Sequence, residues 1–292
     1  MKKCIFTGSG VAIVTPFKGA TIDYEKLGEL IEFQIKNKTD AIIICGTTGE
    51  ASTMPDDEHI DAIEYAVKKV NGRLPVIAGT GSNDTRHAID LSTRAQQVGA
   101  DAILSVTPYY NKTSQRGLYE HFRCVAEALT IPIILYNVPS RTNLNINPGT
   151  LKLLSQIDNI VGVKECNLNQ VGETINLCGD DFTIYSGEDG LIVPLMSLGG
   201  KGVISVMANI IPADTHDIAA NYLSGNVEKS RKLALKTLDL IKALFIDVNP
   251  IPIKEAMNLM GMDVGKCRMP LVDMDEANKS ILVKAMQSYG LI

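Results

Sequence analysis

"NIVGVKECN", residues 159–167, sets Ile160, Val161, Gly162 and Val163 directly before Lys164 and Glu165. A short apolar run rich in β-branched residues reads as a buried strand. Ending it on a lysine costs hydration that a loop lysine would keep. Seven similar runs flank it: "GVAIVTPF" (10–17), "DAIIICGTTGE" (40–50), "PVIAGTGSN" (75–83), "DAILSVTPYYN" (101–111), "IPIILYNVPSR" (131–141), "FTIYSGEDG" (182–190) and "GVISVMANI" (202–210). None alternates apolar with polar, so both faces are covered, as in a parallel sheet. Helical periodicity fills the gaps. Ile60, Ile63, Val67 and Val70 share one face, as do Ala88, Leu91, Ala95 and Val98, and Asp23, Asp56 and Asp84 read as helix starts. Eight strand–helix units with right-handed crossovers predict an α/β fold, a (β/α)8 TIM barrel. An open doubly wound sheet is the alternative. Past residue 210 only helical patterns occur, with Ala234, Leu238, Ile241 and Phe245 read as one face. The expected division is a catalytic barrel over 1–223 and a small C-terminal helical region over 224–292.

The 292 residues are 45% hydrophobic and 21% charged, with a net charge of −5. That composition suits a large buried core. Interspersed charges give no basic face for nucleic acid and no polybasic membrane patch. The apolar run near the N-terminus is broken at Thr7-Gly8-Ser9-Gly10 and makes a poor signal peptide. Six cysteines without C-x-x-C spacing fit reduced thiols in the cytoplasm. His59, His87, His121 and His216 all fall in helical segments, so no metal site is expected. Neither a G-x-x-x-x-G-K-[ST] phosphate loop nor a G-x-G-x-x-G turn is in place.

Functional groups of such barrels collect at the C-terminal ends of strands. Here those ends carry Thr15, Thr47-Thr48-Gly49-Glu50, Gly79-Thr80-Gly81, Tyr109-Tyr110-Asn111, Tyr136-Asn137 with Arg141, Lys164-Glu165, Ser186-Gly187-Glu188-Asp189 and Ser205. Lys201 precedes its strand and belongs to the opposite face. Lys164 has two readings. It could snorkel to water, paired with Glu165, or it could be a desolvated amine. Burial lowers a lysine's pKa, and a neutral amine forms Schiff bases with carbonyls. The rim favours the second reading. With no histidine there, tyrosines and threonines are the proton carriers, Tyr136 foremost. Gly46-Thr47-Thr48-Gly49 offers backbone N–H groups and hydroxyls for a carboxylate. Arg141 suits a bidentate grip on a second one.

"GTTGE", "TPYYN", "YNVPSRT" and "GVKE", with "SGED", "GVISV" and "NPIPIKEAM", resemble the class I pyruvate-dependent aldolase superfamily and, within it, the dihydrodipicolinate synthases. The resemblance runs nearly end to end. It implies condensation of pyruvate with L-aspartate 4-semialdehyde in lysine and diaminopimelate biosynthesis. Lys164 matches the Schiff-base lysine and Tyr136 the proton-relaying tyrosine. Thr47 and Tyr110 complete a hydroxyl triad, with Tyr110 supplied across a dimer interface. Thr47 and Thr48 would hold the pyruvate carboxylate, and Arg141 that of the aldehyde. Gly187 and Ile204 match pocket-lining positions. No metal or organic cofactor is implied beyond the imine of pyruvate on Lys164. The usual assembly is a homotetramer of two tight dimers, with no nucleic-acid or membrane partner.

His59, Asn83 and Tyr109 match positions of that family's lysine feedback site, but His87 replaces a glutamate and Asp56 a frequent histidine. Weak or absent inhibition by L-lysine is therefore expected. "KECNLN" departs from the "KEATGD" of many relatives, beside Lys164. N-acetylneuraminate lyases and 2-keto-3-deoxy-sugar acid aldolases share the lysine and tyrosine, but Arg141 suits a small acid better than a sugar chain. A phosphate-binding barrel isomerase meets Glu188-Asp189 where phosphate would bind. A keto-acid sensor without activity has no need of the full set Lys164, Tyr136, Thr47 and Arg141. Lys254 in "NPIPIKEAM" reads as structural or interfacial.

Overall fold

A computed structural model describes Lys2 and residues 4–292. The strands are β1 (Gly8–Ala12), β2 (Phe17–Lys18), β3 (Thr21–Ile22), β4 (Ala41–Ile44), β5 (Val76–Gly79), β6 (Ala102–Val106), β7 (Ile133–Asn137), β8 (Ile160–Glu165), β9 (Thr183–Ser186) and β10 (Gly202–Ser205). All but β2 and β3 form a closed barrel in which every pairing is parallel. The ring closes where β1 pairs with both β10 and β4, through Gly8↔Gly202 and Gly10↔Ala41. The closed ring replaces the open-sheet alternative. Each of the eight runs read from the sequence supplies one barrel strand. The β2–β3 hairpin was not foreseen, because two-residue strands leave no periodic signal.

The strands divide their side chains between two cores. Ile43, Ile77, Leu104, Ile134, Tyr136 and Ile204 fill the barrel interior. Ile42, Ile44, Ile103, Leu135 and Val163 face the surrounding helices. In helix Asp56–Val70, Ile60, Ile63 and Val70 are buried as read. Asp23 and Asp84 cap their helices, accepting from the N–H groups of Lys26 and Arg86. Asp56 does not: Pro55 holds the cap position without a side-chain bond, and Asp56 is the first helical residue.

Helices Pro212–Leu223, Val227–Lys236, Leu238–Leu244, Ile251–Leu259 and Glu276–Tyr289 follow the last strand. The single face read through Ala234, Leu238, Ile241 and Phe245 is broken at Thr237, whose hydroxyl donates to the Ala234 carbonyl at 2.8 Å. The second helix turns Leu240, Ala243 and Leu244 inward instead. No helix among the described residues is long and apolar enough to cross a membrane.

Candidate active site

A bulge places Lys164. Ile133 of β7 pairs with Ile160, but Ile134 pairs with Gly162, so β8 carries one extra residue. An extra residue inverts the in–out alternation beyond it, a recurrent way of re-aiming a side chain at a functional site. Val161 lies inside before the shift and Val163 outside after it, which puts Lys164 inside, opposite Tyr136. Gly162 makes this possible: a Cβ there would stand 2.3 Å from the Thr183 carbonyl oxygen.

Lys164 is 6% exposed, and its Nζ lies 4.4 Å from the Tyr136 ring centroid. It faces a cavity of about 140 Å³, whose lining includes Thr47, Thr48, Tyr136, Arg141, Gly187 and Asn249. Among the described residues Nζ has neither a hydrogen-bond nor an ion-pair partner, and burial drives its pKa down. The pairing with Glu165 does not form. Glu165 instead accepts from Asn137 Nδ2, Asn167 N and Gln170 Nε2, each at 2.8 Å, and burial pushes its carboxyl up to about 7. Lys254 makes the contrast. It is 2% exposed, but its Nζ reaches Glu50 Oε1 at 2.9 Å and the carbonyls of Thr15 and Lys266 at 3.0 and 2.9 Å. One buried lysine is fully bonded and structural; the other is unbonded and opens onto a cavity.

Tyr136 is buried, which holds its phenol far above the ordinary range and so protonated at neutral pH, with the Thr47 hydroxyl beside it. Thr47 is exposed and Thr48 buried; Thr48 Oγ1 accepts from Asn249 Nδ2 at 3.0 Å. Arg141 stands on the short helix Pro139–Thr142, with Nη2 donating to the Asn249 carbonyl at 3.3 Å. Gly187 leaves room for Cys166: a Cβ would lie 2.3 Å from its sulfur. This cysteine marks the departure in "KECNLN", and burial pushes its thiol up to about 12. Half-buried Glu188 also borders the cavity.

Several rim residues prove to be ties within the fold. Glu50 turns away to Lys254 and to the N–H of Arg268. Thr15 donates to the Gly49 carbonyl, Thr80 pairs with Ser92, and Asp189 accepts from the N–H groups of Val206 and Met207. Ile204, 1% exposed, belongs to the barrel-interior packing and is not among the residues lining the cavity. Tyr110 is 91% exposed on left-handed backbone (φ +67°) and also lies outside the lining.

A second hollow of about 480 Å³ shares Thr47, Tyr136 and Arg141 with the first and extends to His59, His87 and Tyr109. His59 Nε2 lies 2.8 Å from the Gly79 carbonyl. His87 bridges Ser82 and Asp56 at 3.1 and 3.0 Å. Asn83 is outside the lining, its carbonyl accepting from Asn111.

Residues 5–289 match the model of the dihydrodipicolinate synthetase family. The chain belongs to that family. A 4-hydroxy-tetrahydrodipicolinate synthase of Acetivibrio thermocellus is 67% identical over 292 residues, the whole of both chains. Dihydrodipicolinate synthase of Aquifex aeolicus superposes with a TM-score of 0.96 at 47% identity, over 98% of this chain and 99% of that one. The chloride-inhibited enzyme of Acinetobacter baumannii, solved in complex with pyruvate, gives 0.95 at 41% identity, over 98% and 99%. Within this dihydrodipicolinate synthetase scaffold, sequence reasoning found Lys164, Tyr136, Thr47, Thr48 and Arg141 around one cavity. It missed Asn249, which lies in the "NPIPIKEAM" segment and whose side chain gives no signal of its own.

Proposed function

We infer that this chain is a lyase that condenses pyruvate with L-aspartate 4-semialdehyde to 4-hydroxy-tetrahydrodipicolinate, in lysine and diaminopimelate biosynthesis. The buried, unbonded amine of Lys164 carries the reading. Nζ adds to C2 of pyruvate, and loss of water leaves a protonated imine. The imine draws electrons from the methyl carbon, which loses a proton to become an enamine. That carbon attacks the aldehyde, and the resulting alkoxide takes up a proton. The substrate's own amine then displaces Lys164 from C2 and closes the ring. Tyr136, with Thr47 beside it, is the proton carrier. The two electrons that form the new bond pass through the imine on Lys164, so the sequence of steps calls on no separate cofactor.

The N–H groups of Thr47 and Thr48 bond to no described residue, which supports their holding the pyruvate carboxylate. Arg141 takes the carboxylate of the second substrate, while Gly187 keeps the approach to Lys164 open. Arg141→Ala removes charge-assisted hydrogen bonds of about 1.5–3 kcal/mol. Steady-state kinetics should show KM for the semialdehyde rising roughly 10- to 150-fold. Pyruvate should still be trapped on Lys164 by borohydride. Unchanged KM would remove Arg141 from the site.

Tyr110 would act from one subunit on the cavity of another in a homotetramer of tight dimers; its exposure supports this. Six free cysteines support a cytoplasmic setting. His87 and Asp56 bond each other at the edge of the second hollow, where a lysine ammonium would need an unengaged carboxylate. Millimolar L-lysine should therefore change turnover less than about twofold, well under the roughly 5- to 150-fold of typical allosteric coupling. Clear suppression would show that His59, Asn83, Tyr109 and His87 form a working feedback site.

A further inference from the structure

Asn249 touches both groups assigned to carboxylates. It lies between helices Leu238–Leu244 and Ile251–Leu259, is 6% exposed, and lines the Lys164 cavity. Its Nδ2 donates to Thr48 Oγ1 at 3.0 Å, and its main-chain carbonyl accepts from Arg141 Nη2 at 3.3 Å. A hydroxyl has one proton and two lone pairs. With the amide N–H on its oxygen, the Thr48 hydroxyl keeps its proton for another acceptor, and no described residue provides one. Turning the amide over would make Thr48 the donor and withdraw that proton. It would also leave both amide N–H groups without a partner, whereas the present orientation pairs one of them with Thr48 and leaves Oδ1 and the other N–H unpartnered.

We propose that Asn249 is a positioning residue for both substrates: its amide fixes Thr48 as a donor to the pyruvate carboxylate, and its carbonyl seats Arg141 for the second carboxylate. The C-terminal region thereby completes a site built on barrel loops. This rests on the pyruvate-imine reading. Asn249→Ala removes the amide but keeps the main-chain carbonyl, so the two halves separate. Asn249→Asp, nearly isosteric, presents an acceptor that pulls the Thr48 proton away from pyruvate.

The test is borohydride trapping of pyruvate on the full-length protein against pyruvate concentration, read by mass spectrometry, with steady-state KM for both substrates. In Asn249→Ala, half-saturating pyruvate should rise tenfold or more, and in Asn249→Asp further still, with KM for the semialdehyde within threefold of wild type for the alanine variant. Adding Asn249→Ala to Thr48→Val should shift pyruvate by less than twofold, because the amide acts through that hydroxyl. Half-saturation within threefold of wild type in both single variants overturns the proposal. So does an equal rise in both KM values, the mark of a merely structural role, or an additive double mutant. If Asn249→Ala does not fold, Asn249→Asp decides by the same limits. Wild-type protein that traps no pyruvate overturns the imine reading itself, and this inference with it.

Discussion

Lys164→Ala should lose turnover by at least about four orders of magnitude, or roughly 5.5 kcal/mol of barrier. It should lose the pyruvate adduct with borohydride altogether. No other amine lines the Lys164 cavity among the described residues, and the other buried lysine is bonded three times. The pH dependence follows from the same environment. Burial lowers the Lys164 pKa below its ordinary 10.5, with Arg141 pushing the same way and Cys166, Asp189 and Glu188 opposing. The neutral amine is the reactive form, so trapping should increase as pH rises through the lowered pKa. Its half-maximum should fall below 10.5. A midpoint at the ordinary value, or an adduct surviving in Lys164→Ala, would show the nucleophile to be elsewhere.

The largest effect on stability belongs to Lys254. Its ion pair with Glu50 is sealed from water, and removing one partner strands the other. Such losses amount to about 3–5 kcal/mol. Lys254→Met and Glu50→Gln should each lower stability by an amount of that order in urea unfolding at fixed protein concentration. The double variant should cost less than the sum, since neither charge is then left alone. Glu50 stands on left-handed backbone (φ +58°) at the end of "GTTGE", separated from the two threonines only by Gly49. Loosening it should also raise KM for pyruvate. Additive losses within a few tenths of a kcal/mol would mean that the two side chains act independently.

The barrel was legible because each strand is a continuous apolar run of about the right length, with periodic helices between. "GVKE" was legible because a lysine at the end of such a run conflicts with burial. The interior glycine at 162 is the usual mark of a bulge, and reading it so would have shown why Lys164 points inward. The partition of the rim was not legible. Glu50 and Lys164 both looked functional, and only the three-dimensional neighbours show that Glu50 is consumed by Lys254 and Arg268. Asn249 was hidden for the same reason: its partners Thr48 and Arg141 lie 201 and 108 residues away in the chain. Local pattern carries no information about contacts of that range.

The closure of β10 on β1 imposes an order on synthesis. A ribosome delivers the chain from its N-terminus, so β1 can pair with β4 once residues 41–44 have emerged, but its other edge stays bare until residues 202–205 leave the exit tunnel. For most of translation the nascent sheet therefore carries open edges that can pair with other chains, the condition that favours misassembly. Asn249 and Lys254 emerge later still. A chain cut short after the barrel would own Lys164 but lack the residues that fasten its surroundings, so an interrupted message should yield neither a stable nor an active product.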